Sequence, residues 1–217
     1  MLESIVSQTR LPDELIFIDD CSPDATGEIL RAFMAEHPWP SGRCTLLVND
    51  GNIGQAASLN RGIAAASSDL IMILNDDDYL MHDAVETMLG LFRRHREVAL
   101  IGAKHVGFAG RDSLAAASKM STAHMTPGLP LVVHRPEDVL GYPFVDQLDM
   151  THSGLCYLKV AWEVVGGYQP DKRKRVTPFS DRDFQLRVGA LWPVAVATGT
   201  PLAFWRNDSS VDAGRYS

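Results

Sequence analysis

Short apolar runs that end in polar or acidic residues alternate with amphipathic stretches through the first 106 residues. Leu15–Asp20 (LIFIDD), Cys44–Val48 (CTLLV), Asp69–Leu74 (DLIMIL) and Ala99–Val106 read as strands. Between them, Ile29, Leu30, Phe33 and Met34 recur at helical spacing, as do Val85, Met88, Leu89 and Phe92 over about 82–96. Residues 55–66 are Ala-rich and helical. Ser22 followed by Pro23 predicts an N-cap and first helical position, hence a helix from there to about His37. The PWPSG stretch at 38–42 ends it.

Strands alternating with helices predict an α/β fold with a mostly parallel central sheet flanked by helices. The strands are apolar throughout, as expected where both faces of a sheet are covered. Ligands of such sheets bind beyond the carboxyl ends of the strands. Asp19-Asp20, Asn49-Asp50 and Asp76–Asp78 lie at those ends, so one polar rim is expected. The second half is less patterned. Residues 110–150 read as a long loop region, Ser153–Lys159 as a strand and Ala161–Val165 as a short helix stopped by Gly166-Gly167. Asp181–Leu191 reads as a helix with Phe184, Leu186, Val188 and Leu191 partly buried, and Pro193–Trp205 as strand.

Charge narrows the function. A formal charge of -7 on 217 residues argues against broad nucleic-acid affinity. The KRKR run at 172–175 is the local exception; it is either a solvated loop or a patch that steers an anionic lipid-linked acceptor and brings peripheral membrane contact. Cys21, Cys44 and Cys156 form no CxxC and no evident disulfide framework, which points to a reduced compartment. No apolar run approaches the roughly 20 residues of a membrane span, and no basic segment precedes an apolar block at the N-terminus. A cytoplasmic location is the expectation.

The acids carry the candidate chemistry. Three adjacent carboxylates repel one another, and a run of this kind is ordinarily a solvated turn. At the end of a buried strand, however, a cation can offset the repulsion, and oxygen-only ligands suit Mg²⁺ or Mn²⁺ together with substrate phosphates. Asp78 is expected to favour the start of the following helix instead. Asp19 and Asp20 can accept from a base N–H or a ribose hydroxyl, or cap a helix. Asn52-Ile53-Gly54, followed by Asn60, leads a loop into a helix whose N-terminus can hold an anion. Asp181 and Asp183 open a helix, where they either complement its dipole or supply a general base for a hydroxyl nucleophile.

The order IDDCSPDAT, GNIGQAASLNRGI, DLIMILNDDDYL, then GGY followed by SDRDFQLR, resembles a family 2 glycosyltransferase of the GT-A fold over roughly residues 2 to 206. The resemblance implies one glycosyltransferase domain over 1–217, with a nucleotide-sugar half (1–106) and an acceptor half (107–217). It implies inverting transfer from a nucleoside-diphosphate sugar, commonly UDP-linked, to a hydroxyl of a glycan, lipid-linked or protein acceptor. Asp19 and Asp20, with Asn52, Gly54, Asn60 and Asp76, would bind the nucleotide-sugar. Asp77 would hold the divalent cation, Mn²⁺ or Mg²⁺, and Asp181 would be the catalytic base, ahead of Asp183. Asn75 and Ser180 stand where many relatives carry acids, and Leu59 where some carry a basic residue. The family's first strand and its loop, which precede the first helix, are expected to be lacking in this sequence. A truncated nucleotide-sugar-binding remnant without turnover is therefore the alternative. A NAD-linked Rossmann enzyme is disfavoured, since no GxGxxG follows a strand.

Overall fold

A computed structural model describes residues 1–104, 106–108, 130–140, 148, 150–170, 180–198 and 201–206. The KRKR run and most of the 110–150 region lie outside the described residues. The chain divides into two compact units. One comprises Met1–Leu11, Met72–Tyr157 and Gly189–Ser217; the other comprises Pro12–Ile71 and Leu158–Val188.

The second of these units is built on β1 (Leu15–Asp19) and β2 (Cys44–Val48), which pair in parallel with Leu15 opposite Cys44 and Asp19 opposite Val48. Helix α2 (Thr26–Glu36) buries Leu30 and Phe33. Phe33 meets Phe17 of β1 edge-on at 5.7 Å between ring centroids, a favoured geometry for aromatic pairs. Helix α3 (Gln55–Ala65) lies over β1, and a Cβ at Gly62 would overlap Ile18. The fold needs a small residue where helix and strand approach that closely. Helix α6 (Lys159–Val164) and most of α7 (Ser180–Gly189) complete the unit. Lys159 Nζ donates to the carbonyls of Ala64 and Ala66, placing a cation at the C-terminus of α3, where the helix dipole favours it.

Strand β3 (Leu70–Met72) leads into the other unit. There β8 (Cys156–Leu158), β5 (Leu100–Ala103), β9 (Val194–Ala197) and β7 (Leu131–His134) lie side by side in that order. β5 and β9 are parallel and fully buried, the pattern expected of a strand covered on both faces. β7 runs antiparallel at the edge with Val132 and Val133 exposed. A second sheet places β10 (Ala203–Arg206) between β4 (Tyr79–Leu80) and β6 (Val106–Phe108). The short helix α1 (Leu2–Val6), α4 (Ala84–Arg94) and α5 (Pro136–Leu140) complete the elements of this unit. Met88, Leu91, Leu100, Ile101, Tyr157 and Val194 have no exposed surface and form its core.

Several sequence-based boundaries move. The helix expected at Ser22-Pro23 begins at Thr26, because Asp24 first accepts from the Thr26 N–H and holds the chain in a turn. The strand expected over 99–106 ends at Ala103, and Val106–Phe108 joins the other sheet. The 193–205 stretch is two strands, and the strand expected to reach Lys159 gives way there to α6. Leu191 is exposed beyond α7. The long loop region contains β7 and α5; an edge strand with both valines in solvent leaves little alternation to read.

The start of α4 carries a cost. Its N-cap residue Asp83 makes no side-chain capping bond, and its Oδ1 is buried without a hydrogen-bond partner among the described residues. Gln8 caps instead, Oε1 accepting from the Val85 N–H while Nε2 donates to the carbonyls of Ser4 and Met81. Burial pushes the Asp83 carboxyl above its ordinary 3.8. Ionisation is thus harder in the folded chain than in the unfolded one. The cost appears as pH rises through 3.8 and is complete above the raised folded value. Asp83→Asn keeps a good N-cap residue and removes the charge. Thermal melts are expected to show it more stable at pH 7 by about 1–3 °C, with no gain once pH falls below 3.8.

Candidate active site

In the unit formed by Pro12–Ile71 and Leu158–Val188, β1 ends at two aspartates with different duties. Asp19 is buried, and its Oδ1 accepts from the Ser22 N–H at 2.9 Å. Beside its Oδ2 the absence of a side chain at Gly27 leaves room; a Cβ there would lie 3.1 Å away. Between them and the helix, Cys21 adopts a left-handed φ of 60°, an uncommon conformation for a non-glycine residue that is enriched at functional sites.

Asp20 is a clamp. Its Oδ1 accepts from Asn49 Nδ2 and the Ile53 N–H, and its Oδ2 from the Gly54 N–H, each at 2.8 Å. Burial raises its carboxyl pKa, but hydrogen bonding from Ile53, Asn49, Gly54 and Ser58 together outweighs that and holds it below the ordinary carboxylate value. The loop after β2 is thereby pinned, and α3 starts at Gly54, whose φ of 87° is open to glycine. Asn49 extends the network. It donates to Ser58 Oγ at 2.8 Å, accepts from Arg61 Nη1, and is almost fully buried. Asn52 is exposed in the pinned loop.

Asn60, on α3, bonds to a segment about one hundred residues away. Its Oδ1 accepts from Trp162 Nε1 at 3.0 Å and from the Tyr168 N–H at 2.9 Å; its Nδ2 donates to the Tyr168 carbonyl at 2.7 Å. The turn between them uses Gly166 and Gly167, both at positive φ. Tyr168 stacks on Phe184 of α7 at 4.5 Å and 23° between planes, and neither ring has exposed surface. Each buried ring contributes about 2–3 kcal/mol, and the pairing about 1 more. Further along α7, Arg187 donates to the carbonyls of Val165 and Gly167 and pairs with Asp183 Oδ2 at 2.7 Å. Asp183 is therefore committed. Asp181, half-buried in the first turn, has no hydrogen-bond or ion-pair partner among the described residues.

The acids after β3 belong to the other unit. The strand's continuation pairs with Gly154 and Leu155 through Ile73. Asp78 does not serve the next helix, which begins six residues later at Ala84. It is 1% exposed; its Oδ2 accepts from Ser153 Oγ and Asn75 Nδ2, and its Oδ1 from the Arg206 N–H at 3.0 Å. The Ser153 hydroxyl also accepts from the Asn75 N–H. Asp78 is the buried acid because it has donors on both oxygens. Asp76 is exposed and Asp77 half-buried. Among the described residues no three His, Cys, Asp or Glu side chains cluster as a metal cage. Two carboxylates nonetheless suit Mg²⁺ or Mn²⁺, which commonly takes one or two of them and completes its shell with phosphate oxygens and water.

The sequence reading missed Asn49, Ser58, Asn75, Ser153 and Arg187 as parts of these networks. Their types are ordinary turn and surface residues, and several of their contacts are distant in sequence, among them Asn49 to Asp20, Ser153 to Asp78 and Arg187 to the Val165 carbonyl. Asp20→Asn puts an N–H donor where one of three donors now meets an oxygen. Its folded pKa is depressed, so the carboxylate's contribution is fully present above 3.8 and fades as pH falls through the lower folded value. Urea unfolding is expected to show a loss of about 1–3 kcal/mol at pH 7, constant down to 3.8 and closing only below it.

The fold and the motifs have counterparts among known proteins. The crystal structure of S. aureus TarS 1-349 in complex with UDP-GlcNAc superposes with a TM-score of 0.71 at 15% identity, covering 100% of this chain and 57% of that one. Mannosyltransferase PcManGT from Pyrobaculum calidifontis, in complex with GDP-Man and Mn²⁺, gives 0.61 at 17% identity over 94% and 51%. These likenesses establish the α/β, GT-A-like fold. EpsE of Bacillus subtilis (strain 168) is 34% identical over 101 residues, 46% of this chain and 35% of that protein. Glycosyltransferase GlyG of Streptococcus pneumoniae serotype 4 is 34% identical over 87 residues, 40% of this chain and 28% of its own. The alignments thus span about a third or less of these relatives' length. The signature described as glycosyl transferase family 2 matches residues 1–145, and the chain belongs to that family.

Proposed function

We propose that the chain carries the nucleotide-sugar and base-bearing parts of an inverting glycosyltransferase. It takes a sugar from a nucleoside-diphosphate donor, UDP-linked by likeness of shape to TarS, and transfers it to an acceptor hydroxyl. The observation that carries this reading is the contrast on α7: Asp183 is paired with Arg187, while Asp181 has no partner among the described residues. A carboxylate held on an anchored helix and left unpaired is suited to general-base work.

In the proposed reaction Asp181 takes the proton of the acceptor hydroxyl. The acceptor oxygen forms a bond to the anomeric carbon from the face opposite the leaving group. The bond from that carbon to the diphosphate oxygen breaks, and its electron pair leaves with the nucleoside diphosphate. One displacement inverts the anomeric configuration and needs no covalent nucleophile. Asp19, buried at the end of β1, is assigned to the base of the nucleotide. Asp76 is assigned to the ribose side, and Asp77 to a divalent cation, Mn²⁺ or Mg²⁺. When bound, such an ion neutralises charge on the diphosphate. Asp20 and Gly54 shape the nucleotide loop, with Asn52 exposed on it. No helix among the described residues is long and apolar enough to cross a membrane, and the acceptor is assigned only as a hydroxyl compound.

UDP-GlcNAc and GDP-mannose, each with and without Mn²⁺, test the reading through release of UDP or GDP and calorimetric binding. Asp181→Asn is expected to lower turnover by about 100-fold or more with nucleotide affinity retained. Asp77→Ala is expected to abolish the Mn²⁺ dependence. The proposal fails if neither donor binds, or if both variants keep full activity. Binding with no turnover on any acceptor supports a remnant instead.

A further inference from the structure

Asn60 sits in the middle of α3, a helix fixed at both ends. Asp20 holds the Gly54 N–H at its start, and Lys159 holds the carbonyls of Ala64 and Ala66 at its end. The Asn60 amide can make four hydrogen bonds. Trp162 and the Tyr168 backbone take both acceptor positions and one donor position, at 2.7–3.0 Å. The amide oxygen is thus saturated by the protein itself.

The chain around Gly166-Gly167 is built to receive this amide. Both glycines have positive φ, and a Cβ on Gly167 would lie 2.6 Å from Asn60 Oδ1 and 2.9 Å from Trp162 Nε1. The same turn anchors α7 twice. Tyr168 stacks on Phe184, and Arg187 donates to the carbonyls of Val165 and Gly167. Asp181 lies three residues before Phe184, within the first turn of that helix. A movement of the turn therefore moves α7 and the carboxylate on it.

We infer that Asn60 is a positioning residue for Asp181, acting through the Gly-Gly-Tyr turn, and not a ligand of the nucleotide-sugar. The inference rests on the reading of Asp181 as the base. The path is Asn60 to the Tyr168 peptide, Tyr168 to Phe184, and the turn carbonyls to Arg187. Asn60 touches neither donor nor acceptor. Its effect falls on the geometry of proton removal and leaves nucleotide binding alone.

Asn60→Asp keeps the acceptor toward Trp162 and the Tyr168 N–H and turns the donor toward the Tyr168 carbonyl into a repelling oxygen. Trp162→Phe removes one bond to the same amide and leaves Asn60 intact, so it reports even if Asn60→Asp fails to fold. UDP-GlcNAc and GDP-mannose with Mn²⁺ serve as probes, with turnover against pH and calorimetric binding of UDP and GDP as readouts. For Asn60→Asp the expected result is a fall in kcat of about 10–100-fold, a displaced acid limb of the kcat–pH profile, and nucleotide affinity within about threefold of wild type. Trp162→Phe is expected to change kcat in the same direction by less. Asp181→Asn is the reference. If it keeps wild-type turnover, the base assignment itself has failed. If Asp181→Asn loses turnover while Asn60→Asp and Trp162→Phe keep wild-type kcat, or lose nucleotide affinity in place of kcat, the positioning role is overturned.

Discussion

The Asp20 carboxylate is the constraint from which much of its unit follows. A partly buried carboxylate is costly unless donors surround it, and three donors do so here: the Asn49 amide and the backbone N–H groups of Ile53 and Gly54. Meeting them fixes where the loop after β2 runs and where α3 begins. That start sets which residues of α3 face β1, where Gly62 fits against Ile18, and which face the segment of α6 and the Gly-Gly-Tyr turn, where Asn60 does its work. An acid adjacent to a strand end thus orders a helix and, through it, a turn far along the chain.

The aspartates divide by what satisfies them. Asp20 and Asp78 are consumed by the protein, each with donors on both oxygens. Asp183 is paired to Arg187 on the next turn of its helix. Asp76, Asp77 and Asp181, each at least partly exposed, are assigned ligand duties, as is the buried Asp19. Burial accounts for Asp78, whereas Asp183 is paired although exposed. A carboxylate out of water must have its lone pairs met by protein donors, whereas one kept at the surface can wait for a cation or a hydroxyl. Adjacent acids of identical chemistry, Asp77 and Asp78, differ in burial because Asp78 faces Ser153 and the Arg206 N–H.

Glycine carries the corresponding burden in the backbone. At Gly54 the helix start requires a φ of 87°, and at Gly167 the Asn60 amide approaches closer than any side chain permits. Both positions lie where polar side chains draw distant backbone together. Their conformational cost is borne by hydrogen bonds made elsewhere in the same network. That coupling explains why a Gly-Gly-Tyr segment and a Gly-bearing loop, which touch no reacting atom in the assigned roles, belong to the motifs that the chain shares with its family.

Apart from β4 and the division of the 99–106 strand into β5 and β6, the order of strands and helices in the first half, the acids at strand ends and the family were legible from residue pattern, because apolar runs and helical spacing are local properties. Helix α3, strands β1 and β2, and the placement of Asp181 in the first turn of a helix all follow from such local signals. What local pattern could not carry was the fate of each polar side chain. Whether Asp78 serves a helix or meets the distant Ser153 hydroxyl and Arg206 N–H, and whether Asp183 is paired, depends on donors far along the chain or on rotamers. The same holds for Asn60, whose amide meets Trp162 and Tyr168. The edge strand β7 and the late start of α2 escaped for the same reason, one being set by pairing with β9 and the other by the Asp24 side chain. Tertiary structure decided which polar groups are satisfied inside the protein, because burial and partner geometry belong to the folded chain and not to any short stretch of it.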